Sequence, residues 1–436
     1  MTKEITTTEN ASAFTDAAEP AGSIPLLPLH APVHKVISSL GVDIRTRQWY
    51  HGFMTRREAE ILCRKDGQWL VRVADNQQVE VYCISVRFKG KCFHTPLSKT
   101  ARSTYFVIND YLCKDPMTLI QYHYEFRIPL NPEGACLKDP VQRQTWSLQI
   151  EQLKLGAKLG HGEYGDVYAG ELLLWNGKYK VAIKQSKATK LASDFKIALL
   201  REAFIMRRLN HPHVLRLFGV QTIQDPIMIV FELAEGNSLD NKLKNQDKPP
   251  TPDEQERYVY EIVDGMQYLE SQWVVHKDLA ARNCLIDAKG SIKIGDFGLS
   301  IIAENIPKTQ KSHGQARLPA RWMAPEVLVN PPDWSSLSDV WSYGVVIYEI
   351  YTFGTRPYHK IKNQHIIRER IRKGTLKLEV PEPTPPYIAE VMSKCFLPKT
   401  LRPSFKKLKE ELKLSSKYAQ ETYMQAILSR LLWWTN

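Results

Sequence analysis

The sequence predicts a multidomain α+β chain. A length of 436 residues allows two or three domains. The texture changes twice: from Trp49 to about Leu130 short strand-like runs alternate with polar turns around one helix-like stretch, and from about Gln149 a longer unit is strand-rich first and helix-rich afterwards. The composition, 43% hydrophobic and 24% charged, is that of a globular protein.

Composition also bounds the setting. No run approaches the roughly 20 apolar residues that a membrane helix needs, and the N-terminus lacks the basic-then-apolar pattern of a signal peptide. The seven Cys are scattered and form no C-x-x-C pair, which argues against a zinc site or a disulfide framework and for reduced thiols in a cytoplasmic protein. The net charge of +12 is spread along the chain rather than gathered into runs, so it reads as a solvated basic surface. It leaves open recruitment to membrane-bound complexes at the plasma membrane. Nucleic acid is not expected as a partner, because no recognition motif accompanies the charge.

Residues 1–44 are rich in Thr, Ala and Pro without a sustained period and are expected to be disordered. PLLP (25–28) fits a P-x-x-P pattern but reads as plain linker. TRREAEILCRK (55–65) reads as a helix and WLVRVA (69–74) as a buried strand with Arg72 in its middle. An unpaired buried charge costs on the order of several kcal/mol, so Arg72 needs an anion. His94 falls in a second strand, CFHTPL (92–97), and Arg56 at the start of the helix. The three can converge on a doubly charged phosphate, the guanidinium giving two parallel hydrogen bonds. A Pro-bearing linker, residues 131–149, follows.

On these residues WYHGFMTRREAEILCRKDGQWLVRVA resembles the opening of an SH2 domain over residues 49–130. The resemblance implies a central antiparallel sheet flanked by helices and phosphotyrosine-containing partners, with Arg72 as the strand arginine, Arg56 as the helix arginine and His94 in support. Val73 and Ala74 stand where that family usually has Glu-Ser, so one phosphate-holding hydroxyl is missing.

In the longer unit LGHGEYGDVYAG (159–170) contains G-x-G-x-x-G-x-V and runs on into strand character and VAIK (181–184). That context favours a strand-turn-strand lid over nucleotide phosphates rather than a dinucleotide fold. Leu159, Gly160, His161, Gly162, Glu163, Tyr164, Gly165, Asp166 and Val167 make the lid, Ala182 is counted with the nucleotide-binding residues, and Lys184 supplies a point charge. In the helix DFKIALLREAFIMRRLN, Glu202, Met206 and Leu209 share a face, so an inward Glu202 has Lys184 as its cation. HKDLAARN offers Asp278 as base for an incoming hydroxyl and Asn283 as a neutral metal ligand; DFG adds the carboxylate of Asp296 and the packing residue Phe297. APE (324–326) closes the segment.

Five such motifs in order resemble a protein kinase domain, a bilobal fold over residues 150–415, and DLAARN with LPARWMAPE resembles its tyrosine-specific branch. The resemblance implies ATP and Mg²⁺, with Mn²⁺ as an alternative, and protein substrates carrying tyrosine. It places Phe231 at the back of the adenine pocket, the hinge at Glu232 to Ala234, and Leu285 in the nucleotide site. It also implies that Arg282 helps place the substrate hydroxyl, Asp339 supports the catalytic loop, Pro319 shapes the substrate platform and Arg402 pairs with Glu326. One SH2 unit ahead of one kinase unit is most similar to the Fes/Fer subfamily of non-receptor tyrosine kinases. The competing class, a silent phosphotyrosine-binding scaffold, should lack a metal or lysine residue, and none is missing.

Lys277 stands where most tyrosine kinases carry an Arg that grips a phosphotyrosine of the activation loop, and Ile301 replaces a second Arg. From Asp296 through Glu326 there is no Tyr, only Ser300, Thr309 and Ser312 as hydroxyls. Phosphate and clamp are absent together, which predicts activity independent of tyrosine phosphorylation in that loop, with control through the SH2 unit. Residues 416–436 carry a helical stripe, MQAILSRLLWW, read as a tail packed on the lower lobe.

Overall fold

The computed structural model describes residues 35–76, 79–99, 105–161, 165–186, 192–302 and 319–415, and the chain splits into two units, 1–143 and 144–436. PLLP, the lid tip 162–164, Thr309, Ser312 and the tail 416–436 lie outside the described residues.

The first unit contains β1 (Lys35–Ile37), β2 (Tyr50–Phe53), α1 (Arg56–Leu62), β3 (Gln68–Asn76), β4 (Val79–Phe88), β5 (Lys91–Pro96), β6 (Ser98–Lys99), β7 (Phe106–Ile108), β8 (Tyr111–Cys113), α2 (Pro116–Glu125) and β9 (Asp139–Pro140). The main sheet has the order β2-β3-β4-β5, with β9 also paired to β3; a small sheet has the order β1-β8-β7-β6. Trp69 anchors the core, fully buried with Trp49 and Tyr124 at ring centroids of 5.2 and 5.3 Å. A capping box between Thr55 and Glu58 starts α1. The helix stops at Leu62, short of the expected Lys65, because Cys63 turns into the core and the N–H groups of Arg64 and Lys65 donate to Gln68 Oε1 at 2.8 and 3.0 Å.

Two boundaries differ from expectation. Residues 35–44 are not wholly disordered: β1 pairs in parallel with β8, and Ile44 is buried. Residues 131–143 are not linker, because Ala135 and Leu137 are fully buried and β9 adds a strand beside β3, so this unit runs to Arg143. Buried apolar side chains and a paired backbone outweigh the Pro and Gly content that suggested a loose segment.

The upper lobe of the second unit is a sheet of β10 (Leu153–His161), β11 (Gly165–Leu174), β12 (Gly177–Ser186), β13 (Leu217–Gln221) and β14 (Met228–Glu232), in the order β10-β11-β12-β14-β13, with α3 (Ala192–Met206). Helix α3 ends before the expected Asn210, yet Leu209 stays buried with Glu202 and Met206 through a turn closed by its N–H to Met206 O. The lower lobe holds α4 (Leu239–Lys244), α5 (Pro252–Ser271), β15 (Val274–Val275), β16 (Cys284–Ile286), β17 (Ile292–Ile294), β18 (Ile301–Ile302), α6 (Ser336–Tyr351), α7 (Gln364–Arg372), α8 (Pro386–Cys395) and α9 (Phe405–Ser415). Helix α6 is buried on nearly every side, and its Tyr343 hydroxyl donates to Val259 O of α5 at 2.8 Å. Arg402 donates to Glu326, to Leu397 O and to Leu337 O, and lies over the Trp341 ring.

Candidate active site and phosphate pocket

Strand pairing sets the nucleotide lid. On β12, Lys184 lies opposite Val167 of β11 and Ile229 of β14, and its Nζ is 2.7 Å from Glu202 Oε2 of α3. Glu202 is buried and Lys184 largely so; burial raises the Glu202 carboxyl above the ordinary range and the Lys184 ammonium opposes this. The lid glycines differ in their reasons. A Cβ at Gly165 would stand 2.1 Å from Gln185 O, so packing demands glycine there, whereas Gly160 faces open space. Asp166 Oδ1 meets His161 Nδ1 at 2.5 Å and its Oδ2 meets Lys158 at 2.9 Å, tying the two lid strands together. Ala182 pairs with buried Phe231, and Glu232 accepts from Arg216 N and from Lys293 at 3.1 Å. Leu159 is 55% exposed, while Leu285 of β16 and Ala234 are half-buried.

The catalytic loop hangs from one buried carboxylate. Asp339 accepts the N–H groups of His276 and Lys277 at 2.7 and 2.9 Å, and burial pushes its pKa up to about 6. His276 meets Gly295 O at 3.0 Å and packs 5.0 Å from the ring of buried Phe297, joining this loop to the DFG turn. Asp278 receives Arg282 on Oδ1 and Asn283 Nδ2 on Oδ2 at 2.8 Å; burial raises its pKa and Arg282 opposes. Asp296 has φ +58° and is exposed, and its charge reaches both Glu202 and Asp278, so all three carboxylates share one region. Among the described residues no cluster of three His, Cys, Asp or Glu could hold a metal alone. Asp296 with the Asn283 amide oxygen nonetheless suits Mg²⁺, a hard cation that takes one or two carboxylates and completes its shell with nucleotide phosphates.

Sequence motifs did not disclose how the substrate platform is fastened to this loop. Glu349 Oε2, buried on α6, accepts Ala281 N at 2.9 Å and Trp322 Nε1 at 3.0 Å, while the Arg282 guanidinium lies 4.7 Å over the Trp322 ring. Burial pushes the Glu349 pKa up to about 7, against the hydrogen bond from Trp322. The folded state thus holds this proton more tightly than the unfolded chain, so its contribution to stability falls as pH rises from the ordinary carboxyl range to about 7 and is flat above. Glu349→Gln keeps both acceptor contacts without the charge. The expected result is a variant whose melting temperature gains on the parent by a few degrees between pH 5 and 7.5, on the scale of about 2–4 °C per kcal/mol. A gap that stays constant with pH would remove Glu349 as the titrating group.

In the first unit Arg72 is buried at the centre of β3; its Nε donates to Ser85 Oγ at 3.2 Å and its Nη1 to Met54 O at 2.9 Å. Ser85 Oγ is 2.9 Å from His94 Nδ1, and His94 Nε2 is 3.2 Å from Glu60 Oε1, which Arg56 Nε also reaches at 3.1 Å. The structure thus brings Arg56, Arg72 and His94 into one connected set, joined by two residues that sequence reasoning missed, Ser85 and Glu60. Ser85 contributes a hydroxyl from β4, where the sequence showed only its loss after Arg72.

A family model described as protein tyrosine and serine/threonine kinase matches residues 153–412, and one described as SH2 domain matches residues 49–123. Spermatocyte protein spe-8 of Caenorhabditis elegans is 34% identical over 79% of the chain and 66% of its own length. Fer-related kinase 1 of the same organism is 32% identical over 82% of the chain and 90% of its own length. Tyrosine-protein kinase Fer of Homo sapiens is 33% identical over 86% of the chain, which spans 45% of that protein. The chain belongs to the protein tyrosine kinases. It is a tyrosine kinase of SH2-kinase build, similar to the Fer group over most of its length, as the motifs had implied.

One residue of this tyrosine kinase stands apart from the pattern of its family. Lys277, at φ +70°, places its ammonium 5.0 Å from the ring of buried Trp334 and donates its backbone N–H to Asp339. Burial lowers its pKa to about 8. The Asp339 carboxylate opposes that shift, and the ammonium rests beside an aromatic face within the lower lobe.

Proposed function

We propose that this chain transfers the γ-phosphoryl group of ATP to tyrosine hydroxyls of proteins and docks phosphotyrosine segments through its SH2 domain. The 2.7 Å pair of Lys184 and Glu202 carries the reading: a largely buried ammonium and a buried carboxylate, in the same region as Asp296 and Asp278, form the arrangement that aligns nucleotide phosphates. Lys184 would hold the α- and β-phosphates. Asp278 would accept the phenol proton as the phenolic oxygen bonds to the γ-phosphorus and the bond to the departing ADP oxygen breaks, and Arg282 would steady both Asp278 and the incoming hydroxyl. Asn283 and Asp296 would hold Mg²⁺, with Mn²⁺ as an alternative; the cation supplies neutralisation of phosphate charge.

The reading includes activity without tyrosine phosphorylation of the activation loop. What supports it is Lys277, whose ammonium rests on Trp334, together with the absence of Tyr from Asp296 through Glu326. We place the enzyme in the cytoplasm, with recruitment to membrane-bound complexes through phosphotyrosine partners; all seven Cys are unpaired, and among the described residues no helix is long and apolar enough to cross a membrane.

Phosphorylation of a Glu/Tyr polymer by the purified chain tests the chemistry, with Lys184→Met as control. The expected result is turnover that the control loses and that phosphatase pretreatment leaves within about twofold, since a tenfold change needs about 1.4 kcal/mol of lost alignment. Equal turnover by the control would sink the phosphotransfer reading. Severalfold loss after phosphatase would sink independence from loop phosphorylation.

A further inference from the structure

The lower lobe carries a groove of about 480 Å³, away from the nucleotide, that the catalytic reading does not use. One wall is the segment Leu328 to Asn330; the other is α7, through His365, Arg368 and Arg372 with Glu369 between them. We propose that this groove docks an acidic segment of the protein substrate, a reading that rests on the chain being a protein kinase.

Three observations converge on that occupant. The first is charge: residues 360–377 hold seven Lys and Arg against the single acid Glu369. That acid is already engaged, 2.8 Å from Arg372, in a pair with side chains 41% and 34% exposed. Exposed pairs of this kind are weak and readily shared, so a second carboxylate can join without stranding a charge. The second is apolar anchorage: Leu328 and Val329 line the wall facing α7, and Val329 is 39% exposed. A chain segment with acids and an occasional apolar side chain fits such a lining. An anionic lipid surface fits less well, because a concave groove presents its arginines to something that can enter it.

The third observation is position. Helix α7 packs against the turns Ala320–Trp322 and Pro325–Val327, so the groove is continuous with the substrate platform. Arg321 fixes the two together: its buried guanidinium donates to Pro357 O at 2.6 Å, Tyr358 O at 2.9 Å and Ile361 O at 2.8 Å, in the stretch that leads into α7. A segment held in the groove is therefore held at a set offset from the tyrosine on the platform, which raises the effective concentration of that tyrosine.

The test uses the full chain and two peptides with the same tyrosine and flanks, one carrying a run of Glu downstream and the other Gln at the same positions. The expected result is a KM about tenfold lower for the Glu peptide with similar kcat, a preference lost on raising salt from about 50 to 500 mM because contacts at exposed charges are screened. The Arg368→Gln/Arg372→Gln double variant should abolish the preference while still turning over the Gln peptide. Fluorescence anisotropy of a labelled Glu-rich peptide lacking tyrosine reads the groove without turnover, and Arg372→Gln alone covers the case in which the double variant fails to fold. Equal KM values for the two peptides, or a preference that survives in the variants, would overturn the proposal. So would binding of phosphatidylserine vesicles through these arginines with no binding of the acidic peptide. If neither peptide is turned over, the phosphotransfer reading fails, and the anisotropy still decides the groove.

Discussion

Asp278→Asn lowers kcat by about 10²–10⁴-fold, the range that a positioned general base contributes, and leaves ATP binding close to that of the parent. The size follows from how the side chain is held. Its two oxygens receive Arg282 and Asn283 separately, so the carboxylate is fixed in rotation as well as position. An Asn side chain has one acceptor oxygen for these two donors, and its NH₂ would face the other donor. The variant therefore loses the base and loosens Arg282, whose guanidinium lies over Trp322 of the platform. Because burial raises the Asp278 pKa, the parent's activity should fall as pH drops through that raised value, whereas the residual activity of the variant should not follow the same curve. Single-turnover measurements with saturating ATP separate chemistry from binding. A variant with near-parental kcat would take Asp278 out of the proton-accepting role.

Arg72→Ala abolishes phosphotyrosine-peptide binding, with a loss of about 2–5 kcal/mol, the cost of truncating one side of a buried charge contact. In the free protein Arg72 is buried and its hydrogen bonds run to neutral acceptors, Ser85 Oγ and Met54 O; burial lowers its pKa. A buried cation whose hydrogen bonds, among the described residues, go to neutral oxygens gains much from an entering dianion. Glu60 works against that entry. Burial pushes its pKa up, but hydrogen bonds from Arg56 and His94 outweigh this and keep it ionised, so its carboxylate already uses two groups that a phosphate would use. Glu60→Gln should therefore tighten binding, by about two- to fivefold because the site is partly exposed. Titration calorimetry with a phosphotyrosine peptide and its unphosphorylated form reads both variants. Weaker binding by Glu60→Gln would mean that Glu60 supports the pocket rather than competing in it.

The parts of these sites that were legible in the sequence are those in which chemistry forces a residue type at a short, ordered spacing. HKDLAARN, DFG and the glycine lid are local strings, and a charge inside an apolar strand, such as Arg72, announces that it needs a partner. The pairing of Lys184 with Glu202 was legible for the same reason, since an inward acid on α3 demanded a cation. The rest depends on contacts between distant segments that no local pattern encodes. Ser85 reaches Arg72 because β3 and β4 are antiparallel in one register. Trp334 meets Lys277, and Glu349 meets Ala281 and Trp322, only after helix α6 is in place. The true extent of the first unit was hidden likewise: NPEGACLKDP has the composition of a loop, and only packing shows Ala135 and Leu137 buried.

Glu326 and Arg402 are 76 residues apart in the chain, and this spacing has a meaning in time. At a synthesis rate of about 5–20 residues per second, Glu326 emerges about 4–15 s before the arginine that completes it. Once they have been made, the Leu337 carbonyl and the face of Trp341 also wait for the guanidinium that later joins them. The lower lobe is therefore an unfinished object on the ribosome until its last stretch is made. Nascent chains truncated before residue 402 should remain protease-sensitive and bound by chaperones, however complete their catalytic motifs.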